Sequence, residues 1–385
     1  MPELLSAVLE LTLEWAPAPR AVVLAGSHAG GEAVWIEHRG GLVSLSDIDL
    51  YVLLDDDGEC RAARARSRDS LKVLARRCLA FGLAAPLEVG FHTPSGIQRL
   101  PARPGTIELS RHGRVIHGDA RALDLVPRFR EGDVSAEEIL LLLENRGCEL
   151  LWCRPLLSAD APLDRLKGRH ATLKCALDLA AAACLLGGEY PDGARSRIGR
   201  ARERRPEATR PQEWAEAEEL DRLWEAALSW RGGEVAALAP ANAEEEWGAT
   251  VRGWTRVWRE ASGRLAPGAP GEPVARALAM AGRARLRRRV RDALLPRARV
   301  PASRRRIWSA LGGTVQHRVH ASATLLLLAA GAGLPRPLPP RAAEALARLG
   351  VVPRAACGEW DAASPAVVEA WDRWLLDGQR TAPPA

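Results

Sequence analysis

"LSDIDLYVLL", residues 45–54, decides how the N-terminal part of this chain is read. Ile48, Leu50, Val52 and Leu54 alternate with Asp47, Asp49, Tyr51 and Leu53, which is the two-residue period of a strand. Asp47 and Asp49 therefore leave one strand face, roughly 7 Å apart, with no cation beside them in the sequence. Two such carboxylates repel each other, and burial would raise one pKa. The face must stay wet, one acid must keep its proton, or a divalent cation must sit between them. Oxygen-only ligands suit Mg2+ or Mn2+ better than zinc. A solvent-facing edge strand carries the same D-x-D pattern, so the surroundings decide its meaning.

Upstream, AVVLAG (21–26) is a short apolar run ending in glycine, a buried strand leading into a turn. Backbone N–H groups in such a turn, with the Ser27 hydroxyl, are donors suited to phosphate oxygens. Residues 3–15 have helical spacing, as do residues 68–83, and DDDGE (55–59) between the second strand and that helix reads as a turn. LEVGFHT (87–93) alternates as a strand, and TIEL and RVIHG (106–118) are expected to add a strand and an edge element.

The character changes near residue 130. VSAEEILLLLENRGCELLW, with Ser135 and Glu138 as a capping box, and LDRLKGRHATLKCALDLAAAACLLGG are long helix patterns. Trp247, Trp254 and Trp258 recur at spacings of seven and four and read as a core stripe on one helix face. ASGRLAPGAPGEP (261–273) reads as a linker. The fold class is α+β: an N-terminal α/β domain with a short mixed sheet, then a mainly α-helical C-terminal region. The expected boundaries are 1–125, 126–262 and 263–385.

A chain of 385 residues with 47% hydrophobic and 26% charged content has the composition of a folded globular protein. Its net charge of +6 is almost wholly arginine, since only Lys72, Lys167 and Lys174 are lysine. That bias reads as base composition more than as nucleic-acid binding. The runs RARLRRRVR (283–291) and Arg304–Arg306 lack interleaved aromatics and read as solvated helix faces. Seven cysteines, odd in number and without metal-ligand spacing, imply buried thiols in a reducing compartment. Glutamates near the N-terminus are unlike a secretory leader, and the longest apolar runs are too short for a bilayer. The expectation is a cytoplasmic protein with no membrane partner.

The order strand, Gly-Ser turn, helix, D-x-D strand resembles the DNA polymerase β-like nucleotidyltransferase superfamily, here as LAGS (24–27) and SDIDL (46–50). The superfamily's third carboxylate lies on a later strand, which Leu87–Glu88–Val89 matches; Glu108, in Ile107–Glu108–Leu109, is the second choice. The match covers about the first 120 residues. Ser27 and Asp47 stand twenty residues apart, longer than in the smallest members. The extra stretch reads as a helix and a Gly-Gly loop, with Glu32, His38 and Arg39 as solvated loop residues.

The resemblance implies that 1–125 is the catalytic domain, that 126–262 closes the cleft, and that 263–385 is a linker with a second helical segment. It implies that Asp47, Asp49 and Glu88 hold two Mg2+ ions, Mn2+ being the alternative, while Gly26 and Ser27 hold the β- and γ-phosphates of an NTP. Lys174 would point at the triphosphate, with Lys167 and Arg169 behind it. Arg165 and His170 match an R-x4-H pattern that an arginine-rich chain generates by chance. The implied reaction moves a nucleoside monophosphate, AMP from ATP, to a hydroxyl of a small-molecule or protein acceptor and releases pyrophosphate. RNA-end or nucleotide-to-nucleotide transfer is the variant within that class, with nucleic acid the less favoured acceptor. The rival from another class is a non-catalytic nucleotide-binding protein on the same fold.

Overall fold

In the computed structural model, residues 2–77, 82–205, 211–233, 242–268, 271–283, 314–331, 333 and 337–375 are described. The chain divides into two compact units, Met1–Ser135 with Leu228–Leu238 and Gln379–Thr381, and the remainder.

The first unit begins with α1 (Pro2–Trp15) and β1 (Ala21–Ala25), whose five residues are all buried. One helical turn, α2 (Gly26–Ala29), follows, then β2 (Trp35–His38) and β3 (Gly41–Ser44). Next come β4 (Ile48–Leu53), α3 (Asp57–Arg77) and β5 (Leu87–His92). The unit continues with α4 (Pro94–Ile97), α5 (Pro104–His112) and β6 (Arg114–Gly118). The sheet order is β5-β4-β1-β6, with β4 and β5 parallel and the other pairs antiparallel. The mixed sheet and its edge strand at residues 114–118 agree with the sequence reading.

Alternation sorts the two faces. Ile48, Leu50 and Val52 join Val22, Leu24, Leu87 and Phe91 beneath Leu4 and Val8 of α1 and Ala63 of α3. The opposite face puts Leu53 with Ala21, Val23 and Ala25 against Ile97 of α4 and Leu109 of α5. Asp47 and Asp49 share the parity of this second face, beyond the end of its apolar cluster.

Three expectations are corrected. TIEL is not a strand but the middle of α5, started by Pro104 and burying Thr106, Ile107 and Leu109. A four-residue apolar frame fits either period, and the proline-led start decides for the helix. The helix expected over 68–83 begins at Asp57, because Asp56 Oδ1 accepts from the Gly58 and Glu59 amides and caps it. The stretch after Ser27 holds one helical turn and then the β2–β3 hairpin, whose loop is Arg39–Gly40. Both loop residues have positive φ, 51° and 82°, as the tightest hairpin turns require.

The second unit is helical, with α6 (Ala136–Cys153), α7 (Pro162–Leu186), α8 (Ala194–Glu203) and most of α9 (Pro211–Arg231). It continues through α10 (Ala243–Leu265), α11 (Pro273–Ala281), α12 (Val315–Gly331), α13 (Pro340–Leu349) and α14 (Trp360–Leu375). From Leu179 to Leu186 α7 is apolar all round, as a helix end enclosed by others must be. Trp247, Trp254 and Trp258 of α10 are fully buried, so the stripe is core packing. Indole N–H groups reach carbonyls of neighbouring helices: Trp247 to Leu150 and Trp254 to Leu143, at 2.9 and 2.6 Å. Trp224 donates to Ala176 and Trp360 to Leu326, at 2.9 and 3.1 Å. No helix among the described residues is long and apolar enough to cross a membrane. Beyond Arg283, the basic run 283–291 and Arg304–Arg306 lie outside the described residues.

Candidate active site

Ala25, Asp49 and Glu88 form one row across β1, β4 and β5, Ala25 opposite Asp49 and Asp49 opposite Glu88. Residues in register share a sheet face, so both acids stand on the same side. Asp47 precedes β4 by one residue and, like Asp49, is half-buried; Glu88, on the edge strand, is exposed.

β1 ends into Gly26, which lies directly against this row. Gly26 has φ +63°, and a Cβ there would stand 2.3 Å from Asp49 Oδ2. Only glycine meets both demands, the left-handed conformation and the contact with the carboxylate. The hydroxyl of the next residue, Ser27, is buried and has no hydrogen-bond partner. A buried hydroxyl without a partner costs roughly 1–3 kcal/mol. The turn is closed by the Gly30 amide donating to the Gly26 carbonyl at 3.1 Å and the Glu32 amide to that of Ser27 at 2.8 Å.

His28 is buried behind the turn, its ring edge-on to Trp35. Its Nε2 lies 3.1 Å from Ser44 Oγ and 3.3 Å from the Ser46 carbonyl. A carbonyl only accepts, so Nε2 carries the proton. Burial lowers the His28 pKa, outweighing the Ser46 backbone bond and the Asp47 charge, both of which raise it.

Further along the acidic face, Tyr51 stacks on His92 with ring centroids 5.4 Å apart. Burial pushes the Tyr51 phenol up to about 12; Asp49 and Glu88 add to the shift and Arg103 opposes it. Burial, then Arg64, lowers the His92 pKa.

The two aspartates fit a hard divalent cation in donor type, and Asp49 stands against the turn that carries the buried, partnerless Ser27 hydroxyl. Glu88 joins Asp49 in the strand row. Among the described residues, however, no three His, Cys, Asp or Glu side chains close on a common point as a metal-holding group. The strand register aligns Asp49 with Glu88.

The remaining predicted residues are carried by other elements. Glu108 is on α5, so its frame belongs to a helix and not to a strand of the sheet. Glu32 is paired with Arg231 and Arg39 forms the hairpin turn. Lys174 is half-buried on α7 in the second unit. On the same helix, Lys167 faces Asp164 at 3.5 Å and Arg169 grips Glu246 through two bonds of 2.9 Å. Arg165 donates to the Ala159 and Asp160 carbonyls at the start of that helix.

Sequence reasoning passed over His28, Tyr51 and His92. His28 had one available signal, its place directly after the Gly-Ser pair. No family model matches the chain, and no curated protein matches it.

Proposed function

We propose that this chain is a Mg2+-dependent nucleotidyltransferase of the DNA polymerase β-like class. It moves a nucleoside monophosphate, AMP from ATP in the first instance, to a hydroxyl of a small-molecule or protein acceptor. The observation that carries the reading is the junction of Gly26 with Asp49: a side-chain-free turn against a carboxylate, followed by a buried hydroxyl without a partner.

In this reading Asp47 and Asp49 hold the metal, with Glu88 either supporting it or taking the acceptor proton. When bound, the cation supplies charge for the triphosphate and lowers the pKa of the attacking hydroxyl. Gly26 lets the phosphate chain approach the backbone, and the Ser27 hydroxyl donates to a phosphate oxygen. The acceptor oxygen bonds to the α-phosphorus as the bond to the β-phosphate's bridging oxygen breaks, and pyrophosphate leaves.

A second reading, a nucleotide-binding protein without turnover, is favoured by the absence of a closed three-acid group among the described residues. Pyrophosphate release separates the two. Purified protein is supplied with Mg2+ and each NTP, with and without hydroxyl-bearing acceptors. Release that Asp49→Asn abolishes, in a protein that still folds, supports transfer; nucleotide binding with no release supports the second reading.

A further inference from the structure

The Ser44–Ser46 segment, which delivers Asp47, closes on itself. The Ser44 hydroxyl donates to the Ser46 carbonyl at 3.0 Å, and the Ser46 amide donates back to Ser44 Oγ at 3.2 Å. Ser46 Oγ accepts from the Val34 amide at 3.0 Å, which ties the segment to the entry of the hairpin. None of these bonds has His28 as a member. What His28 adds is a link of another kind: from α2, one residue after Ser27, its Nε2–H reaches both Ser44 Oγ and the Ser46 carbonyl.

The other face of the ring is informative. His28 is 3% exposed, and its Nδ1 is buried without a hydrogen-bond partner. An unsatisfied buried acceptor costs about what the Nε2 bonds return. An apolar side chain packed on Trp35 would serve stability about equally well. The imidazole is therefore explained by what it connects.

We propose that His28 is a positioning residue that locks the Gly26–Ser27 turn to the segment bearing Asp47, so that the phosphate-binding turn and the first aspartate keep one spacing. The lock itself stands on the hydrogen bonds above; that it positions a metal–nucleotide complex rests on the proposed function. Groups that orient metal ligands without touching the metal are typically worth about 10–100-fold in affinity.

The test compares wild type with His28→Leu, which keeps the packing and loses the link, and with His28→Gln, whose amide nitrogen restores a donor near the Nε2 position. Two readouts are made on the full chain. Amide hydrogen exchange reports the lock, through the Gly30 and Glu32 amides that close the turn. Mn2+ titration without nucleotide reports the site, with Asp49→Asn marking what is site-specific. The expected result is about tenfold faster exchange at Gly30 and Glu32 and about tenfold weaker Mn2+ binding in His28→Leu, with both largely restored in His28→Gln and thermal unfolding unchanged. Unchanged exchange in His28→Leu overturns the lock. Faster exchange with unchanged Asp49-dependent Mn2+ binding overturns the positioning role. If wild type shows neither Asp49-dependent Mn2+ binding nor pyrophosphate release, the proposed function fails and takes the positioning role with it, while the exchange result still decides the lock.

Discussion

Gly26 and Asp49 touch so closely that the space a β-carbon would need at position 26 is already taken by the Asp49 carboxylate. Gly26→Ala must therefore push the carboxylate aside and also hold a left-handed backbone, which costs about 1–2 kcal/mol for a residue with a side chain. The expected outcome is a loss of stability of that order in urea unfolding. Pyrophosphate release should fall at least about 100-fold, a larger loss than the stability change explains. Full turnover in Gly26→Ala would remove this junction from the site.

Ser27→Ala separates binding from folding. Its hydroxyl has no partner within the protein, so removing it should leave unfolding unchanged or make the fold slightly more stable. Nucleotide affinity should nonetheless weaken about tenfold, the value of one hydrogen bond to a charged oxygen. Calorimetric titration with ATP and Mg2+ measures the second quantity. A destabilised Ser27→Ala with normal affinity would contradict the assignment.

In the helical unit, Glu144 is buried with Arg283, whose guanidinium donates to both its oxygens at 3.0 and 2.7 Å, and with His320 Nδ1 at 3.2 Å. Burial alone would raise the Glu144 pKa, yet Arg283 and His320 together hold it at about 2, below the ordinary 4.5. A carboxyl whose folded pKa is depressed contributes stability that is present above its unfolded value and is lost as pH falls toward the folded one. Stability should therefore decline from about pH 4.5 to about pH 2. Glu144→Gln should flatten that part of the profile and lose about 3–5 kcal/mol at neutral pH, because Arg283 is left buried and uncompensated. Denaturant titrations across that range give both quantities.

The cysteines make a simpler forecast. Cys60, Cys148, Cys153, Cys175, Cys184 and Cys357 are all buried, and burial pushes the Cys148 and Cys175 thiols well above their ordinary range. Cys78 lies outside the described residues. An aromatic disulfide reagent at pH 8 should label no more than one thiol per native chain quickly, and all seven after unfolding in denaturant. Two or more fast thiols in the native protein would show that the interior opens readily.

Much of this was legible because it is local. The alternation through Asp47 and Asp49, the apolar run ending at Gly26 and the frame around Glu88 each need only the period of a strand, and all three strands form where expected. The tryptophan stripe on α10 needed only the helical period. TIEL misled because four residues do not distinguish the two periods. The hairpin after Ser27 was hidden by its glycines, which weaken a strand signal while making the turn between strands feasible. His28 acts through residues sixteen and eighteen positions away, and Glu144 through partners 139 and 176 positions away. Pairings over such distances leave no trace in local pattern, so what each of these side chains does becomes visible only when the chain is folded.

The indole bonds of the second unit bear on how its helices choose their alignment. α7 offers its neighbours a run of alanine and leucine, a smooth surface on which a packed helix loses little by sliding one turn. Trp224 removes that indifference, because its N–H meets the Ala176 carbonyl in a single alignment. Trp247, Trp254 and Trp360 do the same against α6 and α12. Each acts as a tooth in a gear, and exchanging it for phenylalanine would keep the grease while stripping the tooth, leaving a bundle that still collapses but meshes in more than one way.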